Sequence, residues 1–247
     1  MNSMIHQIPA FFNYYNLMLL LGGIWATILL TVIGCSAGFA IGSLIVLVRT
    51  ARTMWLLPLK ILLITYVEFF RRIPFLVILF MVLFGAQIID PTISLFGIAA
   101  IAVCLLSTAY LSEIIRAGVE SVQQPQIEAA DTMNFGRWRT LRYVILPQAW
   151  RVLLPPATSF VIMFIKDTSL ASQMGVTELM FTGKILANRG FSSFLVYGVI
   201  LLCYFMVSYP LSRFAAWMEN RLVTSKHKEP ARIVRVDTGL AGFQPHD

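Results

Sequence analysis

Lys166 and Asp167 are neighbours inside an apolar stretch, with Ser169 two positions further on. An ionisable side chain in such a stretch is costly, and where it persists it marks a solute path, a relay or an internal pair. A lysine beside an aspartate has the groups to meet the carboxylate and the ammonium of one zwitterionic solute. The same two residues also suit a structural ion pair, or a lysine whose stem lies along apolar surface while its head reaches the interface. Glu68 and Glu113 sit in similar settings, and each has an arginine nearby, Arg71 or Arg116, with which it can simply pair. Cys35, Cys104 and Cys203 all lie within apolar runs and read as small hydrophobes. His6, His227 and His246 lie near the chain ends without metal-ligand spacing, so no metal is expected. No nucleophile with a matched base stands out.

The elements that must position these groups are set by the solvent in which the chain folds. Of its 247 residues, 58% are hydrophobic and 13% are charged. Soluble domains carry about 25% charged residues, so this composition describes an all-α integral membrane protein. A spanning helix needs about 20 mainly apolar residues. The first such run is 17–48, closed by Arg49 and Arg52, and it carries Gly34, Gly38 and Gly42 on one helix face. That spacing invites close approach by another helix. Residues 56–70 read as an approach helix and 73–88 as a short second span, with Arg71, Arg72 and Pro74 between them. Residues 95–115, 152–170 and 194–217 complete about five spans. The membrane bundle is expected to occupy 1–222, with a polar loop at about 118–150. A poorly ordered polar tail is expected over 223–247. No removed leader segment is expected at the N-terminus, and no internal repeat is visible.

The net charge of +7 reflects topology and membrane lipid rather than nucleic acid, because the basic residues cluster at the ends of apolar runs. One side carries Arg49, Arg52, Lys60, Arg71 and Arg72, then Arg116, Arg137, Arg139, Arg142 and Arg151, then Arg213, Arg221, Lys226, Lys228, Arg232 and Arg235. The other has Lys184 and Arg189. The positive-inside rule then puts the N-terminus outside and the loop and tail in the cytoplasm.

Within that loop, Pro125 suits a first helical turn. Glu128, Ala129 and Ala130 continue a short helix, with the acid expected near its positive end. Asn134 and Gly136 are the residues able to end it in a left-handed turn. A second amphipathic helix, 137–146, is expected to stop at Pro147. A cytoplasmic helix-turn-helix suits docking, with Ala129 and Ala130 allowing a partner to approach closely; an ordinary surface hairpin has the same shape.

Glu128-Ala129-Ala130 followed by Ile145-Leu146-Pro147 resembles the EAA loop of ABC importer permeases. Arg142 to Ala149, Lys166 to Ser172, Tyr66 to Arg71 and Tyr110 to Gly118 are similar to segments of the polar amino acid (histidine/glutamine/glutamate/arginine-type) permease family. They run in family order over roughly 17–222. Two departures stand out: Asn134 replaces the family's usual glycine, and Arg71-Arg72-Ile73-Pro74 replaces its Arg-Gly-Thr-Pro.

The resemblance implies a type I ABC importer permease fold in a bacterial inner membrane, importing polar amino acids by alternating access. Its partners would be a dimer of ABC ATPases, a second permease chain (identical or paralogous), and a periplasmic or surface-anchored substrate-binding protein. The chain has no G-x-x-x-x-G-K-[ST] loop to cradle phosphates, so it is expected to bind no cofactor and to be no enzyme, with ATP and Mg on the ATPase. Glu128, Ala129, Ala130, Asn134, Gly136 and Pro147 would couple to the ATPase; Lys166, Asp167, Ser169, Glu68 and Glu113 are candidates for the substrate path. The same machinery carrying an opine or another small zwitterion is the near alternative. A secondary transporter or a membrane enzyme explains the spans but leaves the loop without a purpose.

Overall fold

The computed structural model describes residues 2–51 and 53–224. Arg52 and the tail beyond Thr224 lie outside the described residues, and with them His227 and His246. Helices α1 (Asn2–Phe11) and α2 (Tyr14–Thr50) open the chain, followed by a 3-10 turn and α3 (Leu57–Arg72). Then come α4 (Phe75–Ile89), α5 (Leu95–Glu120), α6 (Gln124–Thr132), α7 (Arg137–Thr140), α8 (Leu146–Asp167), α9 (Leu179–Asn188) and α10 (Ser193–Thr224). No strand occurs among the described residues.

The core is the pairing of α2 with α5. Gly34, Gly38 and Gly42 are all buried on α2. A Cβ at Gly38 would lie 2.8 Å from the Ser107 carbonyl carbon, and one at Gly42 would lie 2.9 Å from the Ser112 nitrogen. The backbones therefore meet without intervening side chains, and the Ser107 hydroxyl donates to the Gly34 carbonyl at 2.6 Å. Gly34 faces Val103, Gly38 faces Ser107 and Gly42 faces Ser112. The partners ascend together, so the two helices run parallel and the chain must cross back between them.

That return is not a plain span. Ile73 is extended (φ −100°, ψ 137°), as a residue before proline must be, and α3 and α4 meet there at 115°. Alone, α4 has 15 residues, about 22 Å at 1.5 Å per residue, short of a hydrocarbon core of about 30 Å. The short second span expected at 73–88 is thus the second arm of a sharply bent unit. Four other segments are long and apolar enough to cross a membrane: Tyr14–Thr50, Leu95–Glu120, Arg137–Met174 and Ser193–Leu222. Ser94 caps α5 by accepting from the Gly97 N–H at 3.1 Å. In the preceding turn, hydrogen bonds from Thr92 hold the Asp90 carboxyl below its ordinary range.

Two differences from the sequence reading change the loop. The second helix of the loop and the fourth span are one continuous helical run, because Pro147 does not stop the chain. Leu141–Ile145 form a π turn, in which the Leu146 N–H bonds back to Leu141. This wide turn opens the ladder where the proline ring would otherwise meet the carbonyl one turn earlier. Pro147 then lies in the first turn of α8, and the Gln148 side chain donates to the Val144 carbonyl at 3.0 Å. At the other end, α5 runs on to Glu120, beyond the boundary expected at 115.

Candidate functional site

The hairpin of α6 and α7 stands at the end of the bundle where α2 and α5 finish. Pro125 occupies the first turn of α6. The Phe135 N–H closes the turn onto the Ala130 carbonyl at 3.0 Å. Asn134 holds φ +58°, a left-handed conformation that asparagine tolerates better than most residues. Gly136, by contrast, is extended at φ −69° and begins α7, so its freedom at positive φ is unused.

The faces of α6 divide its residues. Glu128 and Ala129 are exposed, whereas Ala130 is buried against the rest of the chain. Only Ala129 of the two alanines is therefore open to a partner. Glu128 is the fifth residue of α6, past the first turn, so its charge is presented outward rather than spent on the helix end. Met133 (69% exposed) and Trp138 (72%) extend the outer face with apolar surface. Behind α6 lies a cleft of about 390 Å³, lined by Ile127 and Asp131 on the hairpin side and by Leu47, Thr50 and Val119 on the bundle side. A side-chain hydrogen bond from Gln148 to Gln126, at 2.5 Å, ties α6 to α8.

The candidate path residues do not converge. Lys166 and Ser169 line a cleft of about 340 Å³ against Tyr197, Leu201 and Tyr204 of α10. Asp167 instead faces a cleft of about 330 Å³ with Pro74, Phe75, Tyr110, Phe160 and Phe164. Consecutive helical residues point in different directions, and these two side chains line separate clefts. Glu68 is on the surface, where it pairs with Arg72 at 2.7 Å rather than with Arg71. Glu113 is held by Arg116, by Arg49 at 3.5 Å and by Arg71 at 3.8 Å.

One acid that no sequence pattern singled out is Glu178, fully buried at 0% exposure. It caps α9 by accepting from the N–H groups of Met180 and Phe181 at 2.9 and 2.8 Å. It also accepts from the Tyr204 hydroxyl at 2.9 Å and the Thr27 hydroxyl at 3.4 Å. It fastens α9 to α2 and α10. Among the described residues, no group of three or more His, Cys, Asp or Glu side chains is placed to hold a metal.

Residues 50–224 match the family described as binding-protein-dependent transport system inner membrane component. The chain belongs to that family. It is 37% identical over 186 residues to the probable amino-acid ABC transporter permease protein YckA of Bacillus subtilis, covering 75% of this chain and 80% of that one. To the L-cystine transport system permease protein TcyB of the same organism it is 37% identical, over 83% and 86% of the two chains. The glutamine transport system permease protein GlnP of Escherichia coli is 31% identical, over 83% and 93%. Among solved structures, an amino acid ABC transporter crystallised with histidines superposes with a TM-score of 0.76 at 28% identity, over 89% of this chain and 97% of that one. The inward-facing MetNI methionine transporter gives 0.71 at 21% identity and shares the fold, over 85% and 99%. This is therefore a type I ABC importer permease, a multi-pass inner-membrane transport subunit and not an enzyme. Its family works with a separate ATPase and a substrate-binding protein.

Proposed function

We propose that this permease imports polar amino acids. Two permease chains, identical or paralogous, stand on two ATPases, and a periplasmic or surface-anchored binding protein delivers the solute. The N-terminus faces outward and the α6–α7 hairpin faces the cytoplasm. ATP closes the ATPase pair and moves the docked hairpins, and the bundle passes between outward and inward states. The coupling needs ATP to favour one bundle state over the other. ATP and Mg belong to the ATPase.

The observation that carries this reading is the outer face of the hairpin. An acid, Glu128, a small residue, Ala129, and the apolar Met133 and Trp138 are exposed together, and the left-handed Asn134 turn holds them at the bundle end. Asn134, Gly136 and Pro147 shape the hairpin and its exit into α8. For the solute path, Asp167 with its aromatic cleft is favoured over Glu68, which lies in a surface pair. Lys166 and Ser169 belong to the separate cleft against α10.

The test is uptake of a panel of labelled amino acids into proteoliposomes holding this chain and its co-encoded partners, with Glu128→Lys as the control. Uptake that needs both ATP and the binding protein, and collapses in the variant, is the expected result. Uptake that runs without ATP, or is normal in the variant, would overturn the coupling role.

A further inference from the structure

Where α2, α3 and α5 end together, three guanidinium groups (Arg49, Arg71 and Arg116) meet two carboxylates (Glu113 and Glu120). The cluster is one positive charge in excess, and Arg49 and Arg71 share it. Arg116 is satisfied by hydrogen bonds to both acids. Arg49 lies 3.5 Å from Glu113 with its side chain 15% exposed. Arg71 is the weakest partner, 3.8 Å from a Glu113 oxygen that Arg116 already engages. The buried Arg71 Nε and Arg49 Nη1 both find no hydrogen-bond acceptor among the described residues, and of the two arginines only Arg71 borders the neighbouring cleft. The Arg71 guanidinium lies 5.8 Å from the centre of the Tyr110 ring, an attraction that steadies the cation without neutralising it.

This under-compensated arginine lines a cleft of about 210 Å³ between α3, α5 and α8. Besides Arg71, Glu113 and Tyr110, the lining is small or apolar: Ala117, Gly118, Val152 and Pro156 among it. That is room for several waters or the head of a small solute. Tyr110 also lines the larger cleft that reaches Asp167. On α8, Pro156, Phe160, Phe164 and Asp167 succeed one another at three- and four-residue spacing, on one face, over about 16 Å. Tyr110, Phe160 and Phe164 stack along it at 5.4 and 5.1 Å. An aromatic wall thus joins an acid at one end to an arginine lacking its full complement of acceptors at the other.

We propose that the cleft between α3, α5 and α8 is an oxyanion station on the import route, where Arg71 receives the carboxylate of the transported amino acid. The inference rests on the amino-acid reading above and adds to it the residue and the group recognised. A guanidinium suits a planar carboxylate because its N–H fork matches the two oxygens. The departing solute then supplies the acceptor that the resting cluster lacks.

The test is equilibrium dialysis of a labelled amino acid, one imported in the uptake panel, against the detergent-purified permease–ATPase complex without binding protein. The wild type binds it, and the corresponding amino acid amide competes about tenfold or more weakly, the scale of a lost charged hydrogen bond. Arg71→Gln loses binding by a similar factor, and Arg71→Lys falls between. Ala117→Leu fills the cleft without touching a charge and also loses binding. Should Arg71→Gln fail to assemble, the amide comparison and Ala117→Leu still decide the matter. The proposal is overturned if the wild-type complex binds no amino acid, if the amide competes as well as the acid, or if Ala117→Leu binds as wild type. Displacement of the label by anionic phospholipid through Arg71 would overturn it too, by making the cleft a lipid site. Absence of all amino acid uptake would instead sink the functional reading, whereas normal uptake with flat binding comparisons sinks the cleft alone.

Discussion

Asn134 sits at φ +58°, where most side chains crowd the backbone and a β-branched one is strained by about 1–3 kcal/mol. The expected outcome is that Asn134→Gly preserves the hairpin. Asn134→Val should weaken assembly with the ATPase about tenfold or more, since about 1.4 kcal/mol is tenfold in affinity; a copurification titration measures it. Equal binding by the two variants would mean that the turn conformation is not what presents α6. The asparagine was legible in the sequence because few residue types accept that backbone. Glu178 was not. Its hydroxyl partners Thr27 and Tyr204 are 151 and 26 residues away, so nothing local distinguishes it from an acid in a polar loop. Lys166 and Asp167 line separate clefts, a divergence the sequence does contain, because adjacent residues of a helix point in different directions.

At the scale of elements, periodicity and apolar length located the long helices, and the glycine spacing on α2 pointed to a close contact. Which helix made that contact had to come from the fold. A Cβ on Gly38 meets the Ser107 backbone at 2.8 Å, whereas one on Gly22, in the same helix, meets nothing within 4 Å. Gly38→Ala is therefore expected to lower the thermal stability of the purified complex, at a cost of about 1–3 kcal/mol for overpacking. Gly22→Ala should leave it unchanged or slightly raise it. Equal Tm values would show that α2 and α5 do not approach as closely as described. The elements that escaped the sequence reading share one cause: their geometry is decided by neighbours. A proline signals a break at both Pro74 and Pro147. At Pro74 the chain bends by 115°, whereas at Pro147 the preceding π turn absorbs the ring and the helix continues. Helix α9, held by Glu178 against α2, likewise depends on contacts distant in sequence.

For the whole molecule, the decisive property is which end of the bundle faces the cytoplasm, because the hairpin can meet an ATPase only there. The parallel course of α2 and α5, with one bent return between them, makes α6 follow an odd number of crossings and puts it at the end where α2 finishes. Arg49, Arg71 and Arg116 gather at that same end, as the positive-inside rule requires of a cytoplasmic face. The turn bearing Asp90 and Thr92 lies at the opposite end, before α5 begins. Single cysteines at Thr92 and Met133, both exposed, report the two faces once Cys35, Cys104 and Cys203 are replaced. In intact spheroplasts, a membrane-impermeant maleimide should label Thr92→Cys at once and Met133→Cys only after permeabilisation. The reverse pattern would put Glu128 and Ala129 outside the cell, beyond reach of any ATPase, and the coupling assignment would fall with the orientation. Labelling of both sites in intact cells would contradict the single crossing by α5 that separates them.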